Sequence, residues 1–453
     1  MRDRGPEPKT NPMIIGNGVV TDGLELFIEH GAVWIENGLI AQVGPTEEVR
    51  VRAGERVEFI DVGGRLILPG LLNAHHHLYS SLAAGLAPLG KTENFVQILD
   101  SLWWSLDLAL DAEAIYYSAL LGLMTSVKHG VTMIFDHHAS MGYVRGSLAL
   151  VADAFRLAGV KGQLCFEISE RMGAGALEAQ IEENLERAGM GTRSSSGDLI
   201  RHACGLHANL TLSDETLARI GRLKPPELPI HVHCGEDRAD LEYCRERGYQ
   251  GPVDRLQHVG LLSADSLLAH AIHLSERDYQ LIAEVGPVIV SNPESNANNR
   301  VGRMDRGRIR DYVLGTDGMS PDMIETLRSH YLLGGTVPFS ELRKVFWEHR
   351  YAVQQRFFAN TGGLAPGTRA DLVVLDYVPL TPIHLDNLLG HLIFGVRGGK
   401  AYLTAADGRV LYRDGRLTFV DEDQVMREAA KVAKALHQRY YKGGAFGRIV
   451  RTI

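Results

Sequence analysis

Residues 66–78 read LILPGLLNAHHHL, an apolar run that ends in three consecutive histidines. Because alternate side chains of a β-strand share a face, His75 and His77 are expected to point to one side and His76 to the other. Two imidazoles at this spacing, at the end of a buried strand, can bind one metal ion. A polar His-rich loop gives the same local pattern. The remaining ligands therefore decide between a metal site and a loop.

From residue 66 onward, short apolar runs alternate with helical patterns. Eight apolar runs are each followed by a helix or loop, among them VTMIFDHH, LPIHVHCGE and SLLAHAIHL. This alternation predicts an α/β fold, a parallel (β/α)₈ TIM barrel, over residues 66–368. A doubly wound open sheet is the alternative, but it usually has a Gly-rich phosphate loop after its first strand, and the sequence has none there.

Both ends of the chain carry β-like patterns. Residues 13–65 contain short alternating runs separated by glycines, and β-character returns at residues 369–421. We expect these two segments to form one small β-sandwich domain. Residues 422–453 are predicted to form a C-terminal helix and tail.

Composition and charge exclude several classes of partner. The 453 residues carry a net charge of −8 and no long basic run, which gives no electrostatic case for binding nucleic acid or an anionic membrane. Neither a secretory signal nor a membrane-spanning stretch is evident. The four cysteines form no CxxC pair, so a disulfide framework is not expected. We therefore expect a cytoplasmic protein.

Candidate catalytic residues follow other predicted strands, at the end where a barrel gathers its active site. The fifth strand contains His231 and His233, of which His233 lies nearer that end, and Glu236 follows close by. The eighth strand, VLGTDG, ends at Asp317. The sixth contains His270 and His273, whose spacing lets only one of them face inward. Three imidazoles and one carboxylate suit a zinc-like divalent ion.

LPGLLNAHHHL, HVHCGE, LAHAIHL and LGTDG, in this order, resemble the amidohydrolase superfamily, and more closely its mononuclear deaminase and chlorohydrolase branch. Within that branch, SLWWSLDLALDAEAIYYSALL, FDHHASMGYVRGSL, SNANNRVG and LGTDGMSPDM are similar to the SsnA aminohydrolase family. The resemblance implies a metal-dependent hydrolase of non-peptide C–N bonds, namely a deaminase of a heterocyclic or amidine-like small molecule. The alternatives are an amide, lactam or chloro-hydrolase with the same site, or a non-catalytic metal-binding barrel.

The resemblance also implies a role for each site residue. One divalent ion, zinc with iron as the alternative, would be held by His75, His77, His233 and Asp317. Glu236 would shuttle protons, and His270 would hydrogen-bond the attacking water or the substrate, with Asp317 as a further acceptor. Contacts with the substrate are expected from His207, His138, Asn292 and Ser80. A buried, hydrogen-bonded core histidine is the alternative for His207. Relatives of this kind imply a homo-oligomer.

Several features leave alternatives open. IRHACGLHA, the fourth predicted strand, has no Lys, and Lys161 begins the third strand at the wrong end, which favours one metal over two. His137 and His138 form either a substrate wall or buried hydrogen bonds. Arg171 is expected on the surface rather than as a clamp for a substrate carboxylate. Cys234 is expected to be a small packing residue.

Overall fold

The computed structural model describes residues 11–188, 198–335 and 337–444. In chain order, its strands are β1 (Met13–Thr21), β2 (Phe27–Glu36), β3 (Leu39–Pro45), β4 (Glu58–Asp61), β5 (Leu66–Pro69), β6 (Leu71–His76), β7 (Val131–His138), β8 (Lys161–Phe166), β9 (Ile200–His202), β10 (Cys204–Ala208), β11 (Ile230–Cys234), β12 (Leu267–His270), β13 (Val288–Ser291), β14 (Val313–Leu314), β15 (Leu372–Leu375), β16 (Ala401–Ala406), β17 (Arg409–Arg413) and β18 (Arg416–Leu417).

The helices of the same residues are α1 (Thr46–Ala53), α2 (Phe95–Ile98), α3 (Trp104–Ala109), α4 (Ala112–Lys128), α5 (Ser147–Ala158), α6 (Ala174–Ala188), α7 (Asp214–Leu223), α8 (Arg238–Glu246), α9 (Pro252–His258), α10 (Glu276–Val285), α11 (Pro293–Asn299), α12 (Met323–Leu333), α13 (Phe339–Arg343), α14 (Arg350–Phe357), α15 (Leu388–Gly390) and α16 (Glu422–Gly443).

The predicted TIM barrel is confirmed by the strand pairing. Strands β6 to β9 form one parallel sheet and β10 to β14 another. Parallel bridges join the two sheets on both sides, between His76 and Asp317 and between Ile168 and Leu206. The fourth predicted strand is split at Ala203, because β9 pairs with β8 whereas β10 pairs with β11. Eight strand positions therefore close into a barrel.

Strands from both ends of the chain form one nine-stranded mixed sheet. Its order is β18-β17-β16-β15-β5-β1-β2-β3, with β4 also paired to β1. Apolar side chains of these strands make a core of their own, which includes Ile15, Val33, Ile67, Val374 and Leu403. The prediction that both ends build one β-structure beside the barrel is therefore confirmed.

The stretch of residues 66–78 is divided between the mixed sheet and the barrel. Leu66–Pro69 pairs with β1 and β15 in the mixed sheet, whereas Leu71–His76 begins the barrel. The change of sheet falls at Gly70 rather than at residue 65. A Cβ atom on Gly70 would lie 2.3 Å from Oγ1 of Thr132, so this close approach requires glycine. The other proposed domain bounds stay predictions.

Lys161 ties the barrel to the mixed sheet at the end remote from the histidines. Its buried ammonium lies 2.7 Å from carboxylate oxygens of both Asp371 and Asp407. Its place at the start of β8 agrees with the prediction that it is no metal-bridging lysine.

Helix α16 lies where the sequence predicts a C-terminal helix, and the predicted tail at residues 445–453 lies outside the described residues. Among the helices described, none has both the length and the apolar character to cross a bilayer.

Candidate active site

The four predicted metal ligands meet at the C-terminal end of the barrel. His75 and His77 end the first strand, His233 lies on β11 and Asp317 follows β14. Nε2 of His77 is 2.7 Å from Oδ1 of Asp317 and 3.1 Å from Nε2 of His233. Nε2 of His75 is 3.4 Å from the same Asp317 oxygen. Backbone pairing of His76 with Asp317 brings the first and last strands together here.

Hydrogen bonds behind two of the rings fix which nitrogen faces the centre. Nδ1 of His77 donates to the carbonyl oxygen of His137 at 2.6 Å, and Nδ1 of His233 donates to that of His207 at 2.8 Å. In the neutral rings both Nε2 atoms are then acceptors, although they lie 3.1 Å apart. Two lone pairs directed at one point suit a shared cation.

The third imidazole, that of His75, is oriented by a hydrogen bond from inside the barrel. Nδ1 of His75 makes a 2.8 Å hydrogen bond with Nε2 of His231, which lies deeper in the barrel. Nε2 of His75 is buried and has no hydrogen-bond partner in the described part of the chain. An orphaned buried nitrogen is costly unless it binds something. His231 therefore orients the predicted ligand His75.

Charge at the centre agrees with a cation site. Burial alone would lower the pKa of His77, but the charge of Asp317 and its hydrogen bond raise that pKa to about 9. Burial would likewise raise the pKa of Asp317, yet His77 and His75 hold it well below its usual range. The Asp317 carboxylate therefore stabilises positive charge beside the His77 ring. Together with the orphaned Nε2 atom, this donor set fits a divalent metal ion.

Two proton-handling groups stand beside the ligands. Oε2 of Glu236 is 3.5 Å from Nε2 of His270, and Nδ1 of His270 donates to Oδ1 of Asn296 at 2.8 Å. His270 and Asp317 both have left-handed backbone conformations, with φ of 74° and 54°. Such strain in non-glycine residues gathers at functional sites. Burial, followed by the charge of Asp317, raises the pKa of Glu236 well above its usual value.

Helix α11 contacts three of these groups at once. Ser295 donates to Oδ2 of Asp317, Asn296 accepts from His270, and Asn299 donates to Oε1 of Glu236 at 3.3 Å. No role was predicted from the sequence for Ser295, Asn296 or Asn299. Their spacing of one and four positions, within a polar run after a buried strand, was the available signal.

A cavity opens above the predicted metal ligands. Its lining combines the ligand side, an aromatic wall and acidic groups: His77, Tyr79, Ser80, Phe95, Leu99, Trp103, Trp104, Asp107, Glu167, His207, His233, Glu236, Asn299, Asp317 and Gly318. Two predicted substrate contacts, Ser80 and His207, are part of this lining. Nδ1 of His207 also forms a 2.9 Å hydrogen bond with Oγ1 of Thr211.

The other two predicted substrate contacts, His138 and Asn292, lie outside the cavity lining. Nε2 of His138 contacts Oγ of Ser140 at 2.9 Å, and its ring packs against Phe166, because successive residues of β7 face opposite ways. Asn292 is fully buried, with Nδ2 3.5 Å from Nδ1 of His270. Their positions do not support direct contact with a substrate.

Arg171 is buried, so the prediction that it lies on the surface is wrong. Its side chain is only 4% exposed, and it binds Glu167 at 2.6 Å and also Asp107. Burial raises the pKa of Asp107 to about 7 in spite of this arginine. Because both carboxylates occupy the guanidinium, Arg171 is not available to clamp a substrate carboxylate.

Glu167 and Asp107 line the cavity, and neither was predicted as a site residue from the sequence. Glu167 directly follows β8, so the strand-end rule that identified Asp317 could have found it. Asp107 lies on α3, in the long connection after the first barrel strand, where no such rule applies.

Three further histidines, His76, His137 and His273, hydrogen-bond backbone carbonyl oxygens, and Cys234 is buried. Nδ1 of His76 donates to the carbonyl oxygen of Asp317 at 2.7 Å, away from the ligand side. Nε2 of His137 lies near the carbonyl oxygens of Leu206 and His231. His273 binds the carbonyl oxygen of Val301 at 2.7 Å. Burial raises the pKa of the Cys234 thiol well above its usual value, as befits a packing residue.

Comparison with known proteins finds relatives that match most of the chain. The chain is 27% identical over 430 residues to 5'-deoxyadenosine deaminase of Methanosarcina mazei, covering 91% of this chain and 95% of that protein. It is 26% identical over 448 residues to 5-methylthioadenosine/S-adenosylhomocysteine deaminase of Caldicellulosiruptor saccharolyticus, covering 94% and 99%.

Among solved structures, an adenosine deaminase from Xanthomonas campestris with bound zinc superposes with a TM-score of 0.80. The two share 22% identity, and the match covers 95% of this chain and all of that one. At this identity the likeness shows the fold.

The model of the amidohydrolase family matches residues 66–411, which run from the first barrel strand into the late strands of the mixed sheet. Because this match spans most of the chain, the protein belongs to the amidohydrolase family.

Proposed function

We propose that the protein is a metal-dependent deaminase that releases ammonia from an amino group on a nitrogen heterocycle. The observation that carries this proposal is the meeting of a metal-ligand set with a buried acid, Glu236, at one cavity, with His270 beside that acid. Glu236 and His270 lie 3.5 Å apart, and Glu236 lines the cavity together with His77, His233 and Asp317. A metal-binding scaffold needs the ligands but has no use for a buried acid beside them.

Glu236 is suited to move protons in both directions. Its raised pKa favours a protonated carboxyl, which can donate to a ring nitrogen of the substrate. The carboxylate left behind can then accept a proton from the attacking water and pass it to the departing amino group. Asn299, which donates to Oε1, holds the carboxyl in place for both transfers.

His270 is suited to orient the attacking water. Since its Nδ1 donates to Asn296, Nε2 of the neutral ring is an acceptor. Burial lowers the pKa of His270, which keeps the ring neutral. The ring can therefore accept a hydrogen bond from water close to Glu236.

His75, His77, His233 and Asp317 would hold one divalent ion, for which we propose zinc, with iron as the alternative. When bound, such an ion supplies the Lewis acidity that makes water nucleophilic near neutral pH. Three imidazoles and one carboxylate are a suitable donor set for zinc.

As substrate we propose an adenine nucleoside with an altered 5' group. Both curated relatives act by name on molecules of this class. The cavity offers a matching surface, because Phe95, Trp103 and Trp104 line it and can stack on a flat ring.

A substrate panel tests this proposal. Metal-loaded protein and its Glu236→Gln variant are incubated with 5'-deoxyadenosine, 5-methylthioadenosine, adenosine, guanine and cytosine, and released ammonia is measured. We expect ammonia from the native protein, a loss of at least about 100-fold in the variant, and equal metal content in both.

Near-native turnover by Glu236→Gln would refute the role of this carboxyl. Hydrolysis of amide, lactam or chlorinated substrates without ammonia from the panel would assign a different bond to the same site. Metal-loaded protein that is inactive on every substrate would favour the non-catalytic barrel.

A further inference from the structure

One wall of the active-site cavity is a single helical stripe. Phe95, Leu99, Trp103 and Asp107 follow one another at intervals of four residues, and all four line the cavity. Residues at this spacing lie on one face of a helix. The stripe runs through α2, the helical turn Leu99–Trp103 and α3. We call this stretch, residues 95–109, the wall segment. Its position sets the width of the cavity.

The buried Tyr440 of α16 supports the wall segment from behind. Its hydroxyl lies 3.1 Å from the carbonyl oxygen of Ser101 and 3.1 Å from that of Ala87, and it can donate to either. Ser101 lies between Leu99 and Trp103, which face the cavity. The side chain of Tyr440 is 1% exposed, so this hydrogen bond is shielded from water.

Neighbouring side chains of α16 hold both ends of the connection that carries the wall segment. Nε2 of His437 donates to the carbonyl oxygen of Leu82 at 2.9 Å, and Nε of Arg439 donates to that of Ala109 at 2.7 Å. The hydroxyl of Tyr441 accepts from the amide of Ala87 at 3.0 Å. All of these bonds reach backbone atoms, so they fix the path of the chain itself.

The helix that makes these bonds is itself anchored to the barrel exterior. Ala429, Val432 and Leu436 are buried along one face, and the last two belong to the same apolar core as the barrel helices. Lys128 at the end of α4 pairs with Glu422 at the start of α16. Helix α16 is therefore fixed to the barrel at its start and along its buried face.

We propose that α16 sets the position of the wall segment and that Tyr440 is a positioning residue for substrate binding. The kinetic part of this inference rests on the proposed function, whereas the structural part does not. The hydroxyl of Tyr440 touches none of the metal ligands, nor Glu236 or His270. Its loss should therefore loosen the wall and weaken substrate binding without altering the chemistry.

Hydrogen–deuterium exchange tests the structural part without any substrate. The native protein is compared with Tyr440→Phe, which removes only the hydroxyl, and with Gln438→Ala, which alters an exposed neighbour on the same helix. We expect exchange at residues 82–109 to rise about tenfold in Tyr440→Phe alone, as the loss of one buried hydrogen bond predicts.

Unchanged exchange in that segment, or an equal rise throughout the barrel, would overturn the proposal. If Tyr440→Phe fails to fold, Arg439→Met provides the comparison, because Arg439 donates to the carbonyl oxygen of Ala109 in the wall segment. A rise confined to residues 82–109 in that variant supports the proposal, and no rise overturns it.

Kinetics with whichever panel substrate is deaminated tests the second part. We expect KM of Tyr440→Phe to rise several-fold, up to about tenfold, with kcat within about twofold and metal content unchanged. A fall in kcat at constant KM would overturn the positioning role. If no substrate of the panel reacts, the proposed function fails while the exchange measurement still decides the role of α16.

Discussion

Ser295 on α11 donates a hydrogen bond to Oδ2 of Asp317, while Oδ1 of the same carboxylate faces His77 at 2.7 Å. The helix thus occupies one oxygen and leaves the other directed at the imidazoles. Hydrogen bonds of this kind, made behind a metal ligand, orient the ligand and tune its affinity.

Replacing Ser295 by alanine should therefore weaken metal binding. We expect the affinity to fall about 10- to 100-fold, which competition with a chromogenic chelator measures. Ser329→Ala is the matched control, since Ser329 also donates to a carboxylate, that of Glu294, but away from the ligands. Equal affinity in Ser295→Ala and the native protein would contradict the role of this bond.

The buried Lys161 should be worth far more to stability than an exposed lysine. Lys161→Met leaves the carboxylates of Asp371 and Asp407 without their shared ammonium, which should cost about 3–5 kcal/mol in the free energy of unfolding. Lys431→Met removes the exposed pair with Glu428 and should cost at most about 0.5 kcal/mol. Denaturant unfolding of both variants measures the difference, and similar losses would show that the buried site contributes no more than the surface pair.

Acid should destabilise the protein partly through His330. This side chain is buried beside the hydroxyl of Tyr312, and burial lowers its pKa from 6.5 to about 4. Above pH 6.5 both folded and unfolded states hold the neutral ring. Below it the unfolded state takes up a proton first, so stability falls as the pH drops from 6.5 toward 4. At pH 5 the loss should be about 2 kcal/mol.

A His330→Gln variant tests whether protonation of His330 lowers the stability in acid. The difference in its free energy of unfolding between pH 7 and pH 5 should be smaller than that of the native protein by about 2 kcal/mol. An identical pH dependence in the two proteins would show that His330 does not titrate in this range.

The close approach at Gly70 predicts a loss of stability that a second substitution should partly restore. Gly70→Ala should lower the free energy of unfolding by about 1–3 kcal/mol, because its Cβ would overlap the side chain of Thr132. The double variant with Thr132→Ala removes the nearest two atoms and should recover part of the loss. Denaturant unfolding measures both, and equal losses in the single and double variants would rule out this overlap.

The barrel and the meeting of the candidate ligands were predictable because both depend on local pattern and one topological rule. Apolar runs alternating with helical patterns indicate the barrel, and parallel strands bring their C-terminal ends to one edge. His75, His233 and Asp317 therefore meet although they lie far apart in sequence. The same rule applies to Glu167, directly after β8.

Other parts of the site depend on contacts between distant segments. Arg171 was predicted on the surface, yet it is buried with a partner, Asp107, that lies 64 positions away in sequence. The aromatic wall is carried by a connection whose place is set by α16, more than 300 residues later. The break between β5 and β6 at Gly70 likewise depends on a contact with Thr132, which lies on β7. Periodicity within a segment contains no signal for such pairings.

The shared sheet also constrains how the chain folds during synthesis. Strand β5 pairs with β1 on one side and with β15 on the other, so its second edge stays open until residues 372–375 have been made. At about 5–20 residues per second, the ribosome needs tens of seconds for that interval. An unpaired strand edge invites association with other chains. The nascent protein therefore passes through a stage in which one edge of β5 is unpaired and open to association.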